Sequence, residues 1–492
     1  MSPGTAVQPI DWLAITPPLA LAVGALAVLV LDAFTARSTR WLATVLSLGA
    51  VAVAAGGLVA LSGDRRAVFC VADPRVGEAC SYAVEPLTLA LWVAVLVATL
   101  LVVLLSAAGA IDHRVPAAEH HFLLLASACG ALTIAAARDL ATLVVALEVV
   151  SLPAFALVGL KRGDVRSAEA ALKFFLVSVV STAVTLFGVS LIYGVTGSMH
   201  LRAVDAALRD GVAPAGVGVV GVVLTLVGLA FKVAAVPFHA WVPDTYVGAP
   251  VPVAAYLSTV SKAAGLAGLL VLLTRGFVSY ADAWAPVVAV LAAATMTVGN
   301  VLALHQRHAV RLLAWSSVAQ SGFMLAPLAV IGTGGPAGTD RAVRATLAYL
   351  LIYAVINLGA FAVVAVLSRH RPGGRIEDYR GLVRREPWAG VGLSFALLCL
   401  AGLPPGIIGL FAKVVVFQAV VAGGLGWLAV VMAVNVVIGL AYYLRWIVVV
   451  LGPVGEDAAR PSVHPLVGAT VGATLIAAVT LSAAPSVVLQ LL

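Results

Sequence analysis

Apolar runs of 18 or more residues recur along the whole chain, and each is long enough to cross a hydrocarbon core of about 30 Å. Only 10% of the 492 residues are charged and 62% are hydrophobic, whereas a soluble domain carries about 25% charged residues. The sequence therefore predicts a polytopic membrane protein. The first run, from Leu13, lacks a preceding basic segment and a small-residue cleavage site, so we interpret it as a first span.

We predict an all-α fold of about 14 transmembrane helices. Loops after odd-numbered spans contain fifteen Lys and Arg residues, and loops after even-numbered spans contain nine. Because basic loops remain in the cytoplasm, we expect both termini outside, and we attribute the net charge of +7 to basic loops rather than to a nucleic-acid site. The expected spans lie near 11–32, 41–62, 86–110, 119–137, 140–160, 168–194, 214–238, 250–274, 284–304, 310–331, 342–368, 388–421, 425–450 and 464–490.

Four of the five lysines lie inside apolar spans, whereas we assign 23 of the 24 arginines to the loops. These four are Lys173, Lys232, Lys262 and Lys413. A lysine at mid-bilayer opposes insertion by about 2.5–3.5 kcal/mol, so its presence there indicates a function. A buried lysine can take and release a proton, whereas arginine stays charged. We therefore predict that the lysines titrate and that Arg445, the one arginine within a span, extends its charge towards the interface.

Glu148, in "LATLVVALEVVSLPAF", is the only acidic residue deep inside a predicted span. Two interpretations remain open. The side chain can be a fixed partner of a lysine and so order the helix bundle. Alternatively, it pairs with a lysine on another helix and changes that pairing during turnover.

Prolines interrupt two predicted spans next to a lysine. Pro237 follows Lys232 in the seventh span, and Pro404 and Pro405 precede Lys413 in the twelfth. Proline removes a backbone donor and leaves a carbonyl group free, which is tolerated only inside a bundle or along a watery cavity. Two broken helices five spans apart are typical of the inverted repeats of transporters.

The predicted repeats comprise spans 4–8 and spans 9–13. Because five is an odd number, the second copy crosses the membrane in the direction opposite to the first. The expected organisation is three spans in 1–117, a first repeat in 118–274, a second repeat in 282–451 and a last span in 452–492.

Further polar residues accompany the lysines. Tyr349, Tyr353 and Asn357 are spaced i, i+4, i+8 and share one helix face. We predict that they line a proton pathway together with Ser258 and Ser261, which come just before the lysine of the eighth span. A second polar cluster, in the tenth span, consists of Ser316, Ser317, Gln320 and Ser321.

The predicted loops carry His305 and His308, which lie at a cytoplasmic helix end. A solvated loop role is the first interpretation for them, and the delivery of protons to the interior is the second. Cys70 and Cys80 lie ten residues apart in a loop predicted outside, where they could form a disulfide or remain free. The segment "MHLRAVDAALRD", from Met199, has the spacing of a short amphipathic helix, either on the outer surface or as an ordinary connection.

Motifs for nucleotide or metal binding are missing from the sequence. It contains no Gly-rich phosphate loop ending in Lys-Ser or Lys-Thr, no G-x-G-x-x-G after a strand and no dense cluster of His or Cys. We therefore expect no cofactor and no metal in this chain. Such a chain must use an existing gradient or be driven by partner subunits.

Three segments carry a family resemblance: "ALEVVSLPAFALVG", "GLAFKVAAVPFHAWVPDTYVGAPVPVAAYLSTVSKAAG" and "RLLAWSSVAQSGFM". They resemble the antiporter-like membrane subunits of respiratory complex I, and the resemblance runs through spans 4–13. Within that family the chain is most similar to the subunit N branch. Fourteen spans, the lack of an extended C-terminal lateral helix, and lysine rather than glutamate at 413 favour that branch.

The resemblance implies a role for each buried charge. Glu148 is implied to be the carboxylate of the fifth helix, with Lys232 as its switching partner. Lys262 is implied to be the central relay and Lys413 the terminal site that releases protons outward. Lys173 is implied to tune or pass on the charge state near Glu148.

The resemblance also implies partners and a location. Other membrane subunits of a bacterial complex would surround the chain in the plasma (inner) membrane. NADH, FMN, iron–sulfur clusters and quinone would be bound by partner subunits, whose quinone reduction drives proton movement from the cytoplasm to the outside. The chain would then be part of an enzyme without holding a redox centre itself.

Three alternatives remain open: a subunit of a multisubunit sodium–proton antiporter, a membrane subunit of a hydrogenase-type complex, and a solute transporter whose lysines bind an anionic substrate. Lys413 argues modestly against the first. The arrangement of a lysine beside a helix break occurs twice, which disfavours the solute transporter, because a single substrate site does not need two such arrangements.

Overall fold

A computed structural model describes residues 10–34, 40–63, 65–107, 112–211, 215–369, 373–454 and 465–490. Helices dominate it, as their apolar composition predicts. In chain order the elements are α1 (Trp12–Phe34), α2 (Trp41–Ala60), β1 (Arg66–Asp73), β2 (Gly77–Val84), α3 (Pro86–Leu105), α4 (Ala117–Ala136), α5 (Leu140–Gly159), α6 (Val165–Thr196), α7 (Leu201–Arg209), α8 (Ala215–Lys232), α9 (Val242–Gly248), α10 (Val251–Tyr256), α11 (Lys262–Val271), α12 (Ala281–Leu304), α13 (Ala309–Leu325), α14 (Gly335–Ser368), α15 (Leu382–Arg385), α16 (Pro387–Ala401), α17 (Ile407–Ala422), α18 (Gly426–Leu451), α19 (Pro465–Ala483) and α20 (Ser486–Gln490).

The predicted helical membrane fold is confirmed. Among the described residues, twelve helical segments are long and apolar enough to cross a membrane. Three shorter apolar helices, Gly216–Lys232, Pro387–Ala401 and Ile407–Ala422, occupy the positions of predicted spans 7 and 12. Each of the fourteen predicted spans therefore overlaps a helix or an interrupted helix, although the number of membrane crossings itself stays a prediction.

The order of elements places an interruption fourth in each predicted repeat. In the first, α8 and α9 are separated by residues 233–241; in the second, α16 and α17 are separated by residues 402–406. The boundaries 1–117, 118–274, 282–451 and 452–492 stay predictions.

Burial divides the helices into a core and a periphery. For each span, burial is the share of residues in an apolar 18-residue stretch that is buried inside the protein. It is 94%, 100% and 89% for Val251–Gly276, Ala309–Val330 and Gly335–Ser368. It is only 33% and 28% for Trp12–Phe34 and Pro465–Ala483. The eighth, tenth and eleventh predicted spans therefore form the centre, and they carry most of the polar residues singled out above.

Close helix contacts depend on glycine. A Cβ at Gly299 of α12 would lie 2.4 Å from the backbone nitrogen of Ala319 on α13, and a Cβ at Gly188 of α6 would lie 2.4 Å from that of Thr225 on α8. Because lipid offers no hydrophobic drive between helices, such small residues permit the backbone approach that stabilises the bundle.

A β-hairpin lies in the segment that we predicted as a loop. Its strands pair antiparallel with Cys70 opposite Cys80, and the two cysteines form a disulfide with a Cα–Cα distance of 3.9 Å. Asp73 accepts hydrogen bonds from the backbone of Arg75 and Val76, at 2.8 and 3.2 Å, and so closes the turn. Of the two alternatives left open for these cysteines, the structure has the disulfide, whereas the strands were not anticipated.

The predicted amphipathic helix is α7, and it packs against protein. Its apolar residues Leu201, Val204 and Leu208 are buried. Asp205, on the same helix, accepts hydrogen bonds from the backbone nitrogen and the hydroxyl of Ser279, at 2.8 and 2.5 Å. The helix therefore docks on the connection between α11 and α12, which favours the second of our two interpretations.

Candidate functional site

The first helix break leaves Lys232 as the last residue of α8. After it, Ala234 adopts a left-handed conformation with φ of 63°, which is sparsely populated by residues other than glycine. The backbone nitrogen of Val236 finds a partner outside its own helix, the hydroxyl of Thr295 on α12, at 2.9 Å. A side chain of a neighbouring helix thus satisfies a backbone group that the break sets free, as a membrane interior requires.

A cavity of about 180 Å³ lies beside Pro237 at this break. Leu226, Leu269, Trp284 and Val288 are among its lining residues, which are all apolar. An apolar cavity of this kind stays dry. It therefore does not match the watery cavity that we expected this break to border.

The amine of Lys232 is buried among aromatic rings. The side chain is 1% exposed, and its Nζ lies 5.9, 5.4 and 5.9 Å from the ring centres of Phe155, Phe174 and Phe231. Within the described part of the chain, this nitrogen has no hydrogen-bond partner. The rings offer a cation modest stabilisation, but an ammonium group there keeps three unsatisfied donors.

The carboxylate of Glu148 contacts Thr182 rather than the predicted partner, Lys232. One of its carboxylate oxygens accepts a 2.7 Å hydrogen bond from the hydroxyl of Thr182 on α6. No ion pair within 4.0 Å joins it to Lys232 among the residues that the structure covers. The structure thus holds the carboxylate and the amine apart.

Lys173 contacts two acids at the end of α6. Its Nζ lies 2.8 Å from a carboxylate oxygen of Glu169 and 3.1 Å from one of Asp244, and its side chain is 48% exposed. We placed this lysine near Glu148 by resemblance; its ion pairs are with these other two acids instead. The second oxygen of Asp244 lies 3.3 Å from Arg311 of α13, so one carboxylate connects α6, α9 and α13.

Lys262 makes three hydrogen bonds in the centre of the bundle. Its Nζ donates to the carbonyl oxygen of Ser317 at 2.5 Å, to the hydroxyl of Ser317 at 2.7 Å and to the hydroxyl of Ser321 at 2.6 Å. A π-helical turn, Leu257–Ser261, precedes it, and such turns are frequent at functional sites. All three donors of an ammonium group are therefore satisfied here without a carboxylate.

The two serines before Lys262 differ in whether their hydroxyls have a hydrogen-bond partner. The hydroxyl of Ser258 accepts a 2.7 Å hydrogen bond from the side-chain amide of Asn357 on α14, as the predicted polar face of that helix suggested. The hydroxyl of Ser261 is buried and has no partner among the described residues.

Lys413 closes the second helix break. Its Nζ donates to the carbonyl oxygens of Leu400 and Ala401, at 3.1 and 2.5 Å, which are the last carbonyl groups of α16. A cation is stabilised at the carboxyl end of a helix. Gly402 has φ of +81°, and a Cβ there would meet the lysine side chain at 3.1 Å. The break thus provides both the oxygens and the space that this lysine uses.

Tyrosine and glutamine side chains lie between these two lysines. Tyr353 donates a 2.9 Å hydrogen bond to the hydroxyl of Ser317, and Tyr349 donates one to the side-chain oxygen of Gln320. The amide nitrogen of Gln320 in turn lies 3.4 Å from the carbonyl oxygen of Leu400, which also accepts from the terminal lysine. Hydrogen-bonded polar groups therefore extend from Lys262 and from Lys413 into the region between these two lysines.

A cavity of about 10 Å³ lies in that region. Gln320, Tyr349, Tyr353 and Lys413 are among the residues that line it. This volume is close to the least that one water molecule requires. The side chains hydrogen-bonded around Lys262 reach this space through Tyr353. The polar groups around Lys413 reach it through Gln320. The two sets are therefore separated by a space about the size of a single water molecule.

The two histidines lie at helix ends. His308 caps α13, accepting a 3.4 Å hydrogen bond at Nδ1 from the backbone of Arg311, and burial followed by the nearby arginine lowers the pKa of His308. His305 contacts the carbonyl oxygen of Val301 at 3.1 Å. Neither histidine shares a hydrogen bond with a buried lysine in the described ranges, so a capping role fits their contacts better than proton delivery.

Sequence reasoning missed a further group of polar side chains, Asn300, Asn435, Tyr442 and Tyr443, between α12 and α18. Tyr442 donates a 2.9 Å hydrogen bond to the side chain of Asn300, which itself donates to the side chain of Asn435 at 3.0 Å. Next to them, the hydroxyls of Tyr443 and Ser316 lie 2.5 Å apart. The signal was present, because asparagine is costly inside a membrane span, as the weight given to Asn357 already recognised.

Only one group of potential metal ligands is present in the part of the chain that the structure covers. It contains Cys70, Glu78 and Cys80. Because the two cysteines are bonded to each other, their sulfurs are not thiolates that could hold a metal ion.

Comparison with known proteins reveals close relatives. The chain is 58% identical over 447 residues to NADH-quinone oxidoreductase subunit N 2 of Streptomyces griseus, covering 89% of this chain and 82% of the relative. It is 48% identical to NADH-quinone oxidoreductase subunit N of Salinispora tropica, covering 89% of this chain and 85% of the relative.

A solved structure has the same fold. A chain of respiratory complex I from Thermus thermophilus, solved with bound aureothin, superposes with a TM-score of 0.78 and 31% identity, covering 96% of this chain and 98% of that one. A family model described as NADH:quinone oxidoreductase/Mrp antiporter, TM, matches residues 137–439, well over half of the sequence. The chain therefore belongs to the NADH:quinone oxidoreductase/Mrp antiporter family of transmembrane proteins.

Proposed function

We propose that the chain is a proton-translocating membrane subunit of an NADH:quinone oxidoreductase. The observation that carries the proposal is the buried line of polar groups between Lys262 and Lys413. The family supports the same conclusion, because relatives with 58% and 48% identity bear the name of such a subunit. The sodium–proton antiporters that the family description also includes are the less favoured alternative.

Lys232 and Glu148 form the first step of the proposed relay. A charged amine without a hydrogen-bond partner is costly in a dry, buried position, so Lys232 gains a proton only when an opposite charge or water approaches it. Glu148, the acidic residue that we predicted deep inside the fifth span, supplies the opposite charge. Movement of the carboxylate away from Thr182 and towards the amine would favour protonation, and the separation seen here would favour release.

Lys262 is the central carrier. Its neighbours Ser317 and Ser321 are hydroxyls that both donate and accept, so they can stabilise the ammonium and also pass a proton onward. Tyr353 shares the hydroxyl of Ser317 and extends the path towards the water-sized space. A proton that leaves the amine therefore has an acceptor within hydrogen-bond distance.

Lys413 is the last carrier, from which protons leave outward. The carbonyl oxygens at the end of α16 favour its charged form, so the proton pauses there until a change at the helix break weakens those contacts.

Lys173 lies near the start of α6, in the first predicted repeat. There its ion pair with Asp244 competes with any approach to Glu148, which is how it would tune that carboxylate.

Redox chemistry belongs to partner subunits in this proposal. NADH, FMN, iron–sulfur clusters and quinone would be bound there, because the sequence offers no motif for them. Quinone reduction in those subunits would drive proton movement from the cytoplasm outward. The chain would lie beside other membrane subunits of the complex in the bacterial inner membrane, with both termini outside.

Proton uptake by inverted membrane vesicles tests this function. We expect Lys262→Ala to abolish NADH-driven acidification while the assembled complex is still recovered. The matched control is Lys161→Ala, which removes the one lysine in a predicted loop, where it pairs with Asp164 at 3.1 Å. Normal acidification in the Lys262→Ala vesicles would contradict the proposal, as would acidification that needs sodium but no NADH.

A further inference from the structure

A groove opens on the surface of the bundle between α14, α17 and α18. It has a volume of about 1090 Å³, and Leu410, Val414 and Val421 of α17, which are 40%, 42% and 57% exposed, form an apolar wall. Lys413 lines the same groove. Because water does not enter the apolar interior of a bilayer, either lipid or another protein fills this space.

Apart from Lys413, the charged residues that line the groove lie at one end of it, near the start of α14. Arg341 and Arg344 of α14 line it there together with Asp340. Asp340 is paired with Arg344 at 2.8 Å, whereas Arg341 is exposed and forms no ion pair or hydrogen bond within the described residues. Two arginines and one carboxylate leave one net positive charge, so the groove end attracts an anion.

We propose that this groove binds one anionic phospholipid, with its phosphodiester on Arg341 and Arg344 and an acyl chain along α17. Guanidinium groups bind phosphate oxygens with two parallel hydrogen bonds. Basic pockets between transmembrane helices hold anionic lipid headgroups for this reason. A neutral lipid would fill the apolar wall equally well but would leave the positive end without a counter-charge.

The length of the apolar wall fits one lipid tail. From Val421 to Leu410 the helix advances eleven residues, about 16 Å, and half of a hydrocarbon core is about 15 Å thick. The predicted topology places Arg341 and Arg344 after an even-numbered span, at the outer surface. A lipid of the outer leaflet therefore reaches from the headgroup level to Lys413 near the middle of the bilayer.

A bound tail would have a consequence for the proposed relay. It would cover the side of Lys413 that faces the groove and leave the side towards Leu400 and Gln320 as the route for protons. This consequence rests on the proposed function. The binding itself does not, because lipid retention is measured without turnover.

Lipid retention tests the inference. The full-length chain is reconstituted in vesicles with equal amounts of phosphatidylglycerol and phosphatidylcholine, extracted, and analysed by native mass spectrometry. We expect one retained phosphatidylglycerol, favoured at least about fivefold over phosphatidylcholine, since each basic group near the membrane surface contributes about 1 kcal/mol. The double variant Arg341→Gln/Arg344→Gln should lose this preference. Equal retention of both lipids by the unaltered chain would overturn the proposal.

Matched variants separate binding from a purely structural role. The control is Arg202→Gln/Arg209→Gln on α7, where Arg209 forms the same kind of i,i+4 ion pair with Asp205, at 2.6 Å; it should keep the preference. Asp340→Asn removes the competing carboxylate and should strengthen retention, an effect that loss of a structural ion pair does not produce.

Occupancy by lipid is tested in the groove itself. Val421→Trp narrows the apolar wall and should reduce retention of phosphatidylglycerol although both arginines remain. Unchanged retention in this variant or in Arg341→Gln/Arg344→Gln would overturn the inference. So would cross-linking of Val421→Cys to a neighbouring subunit in the assembled complex, because protein would then fill the groove.

Discussion

Lys262 on α11 contacts both oxygens of Ser317 on α13, donating to the carbonyl at 2.5 Å and to the hydroxyl at 2.7 Å. The two helices belong to different predicted repeats, so this contact joins the halves of the bundle. The hydroxyl also accepts from Tyr353. One small side chain therefore connects the central amine to the next polar group.

Removal of that hydroxyl should interrupt the path. We expect Ser317→Ala to lower NADH-driven proton pumping by about tenfold, because loss of a buried hydrogen-bond partner costs about 1–3 kcal/mol. Ser317→Thr keeps a hydroxyl at the same place and should retain most of the activity. Acidification of inverted vesicles measures both, and an alanine variant that pumps normally would remove Ser317 from the pathway.

Arginine at position 413 should separate a titrating group from a fixed charge. Lys413→Arg keeps a cation at the end of α16 but cannot release its proton. We expect it to impair pumping almost as much as Lys413→Ala does, with the complex assembled in both cases. Normal pumping by the arginine variant would show that only a constant charge is needed there.

Asp244 should position the short half of the broken seventh span. Its carboxylate contacts Lys173 and Arg311, and exposed ion pairs contribute only about 0–1 kcal/mol each to stability. We therefore expect Asp244→Asn to leave assembly intact but to reduce pumping several-fold, with recovery in Asp244→Glu. Failure of the complex to assemble in Asp244→Asn would instead indicate a structural role.

The disulfide should stabilise the hairpin and not the helix bundle. A bridge that closes a loop of this size contributes about 2–3 kcal/mol. Cys70→Ser/Cys80→Ser should therefore increase proteolysis between Asp73 and Gly77 while leaving the thermal unfolding of the bundle unchanged. Cleavage at the same rate with and without the bridge would show that the strands hold without it.

The sequence revealed the helices, the buried lysines and both breaks because each has a strong local signal. Apolar length identifies a span, and Pro237 or Pro404 interrupts it whatever the surroundings. The polar faces of the tenth and eleventh predicted spans could also be read, since residues at i, i+4 and i+8 share one side of a helix.

Partner choice could not be read in this way. Lys173 pairs with Asp244, which lies 71 residues further along the chain, and no periodicity specifies such a contact. Arg138 is one of the nine basic residues that we assigned to loops after even-numbered spans, yet it is buried and lies 3.6 Å from Glu85. Each strand of the hairpin has eight residues, but the hairpin lies between two apolar spans, where hydropathy alone predicts only a connecting loop. Tertiary packing decides each of these features.

The central claim is that the interior lysines change protonation during turnover. Infrared difference spectroscopy on the complex with isotope-labelled lysine, recorded as NADH is added, tests it most directly. The account predicts lysine ammonium bands that appear and disappear with turnover, and that are lost in part in Lys262→Ala and in Lys413→Ala. Lysine bands that stay constant while the vesicles acidify would contradict it.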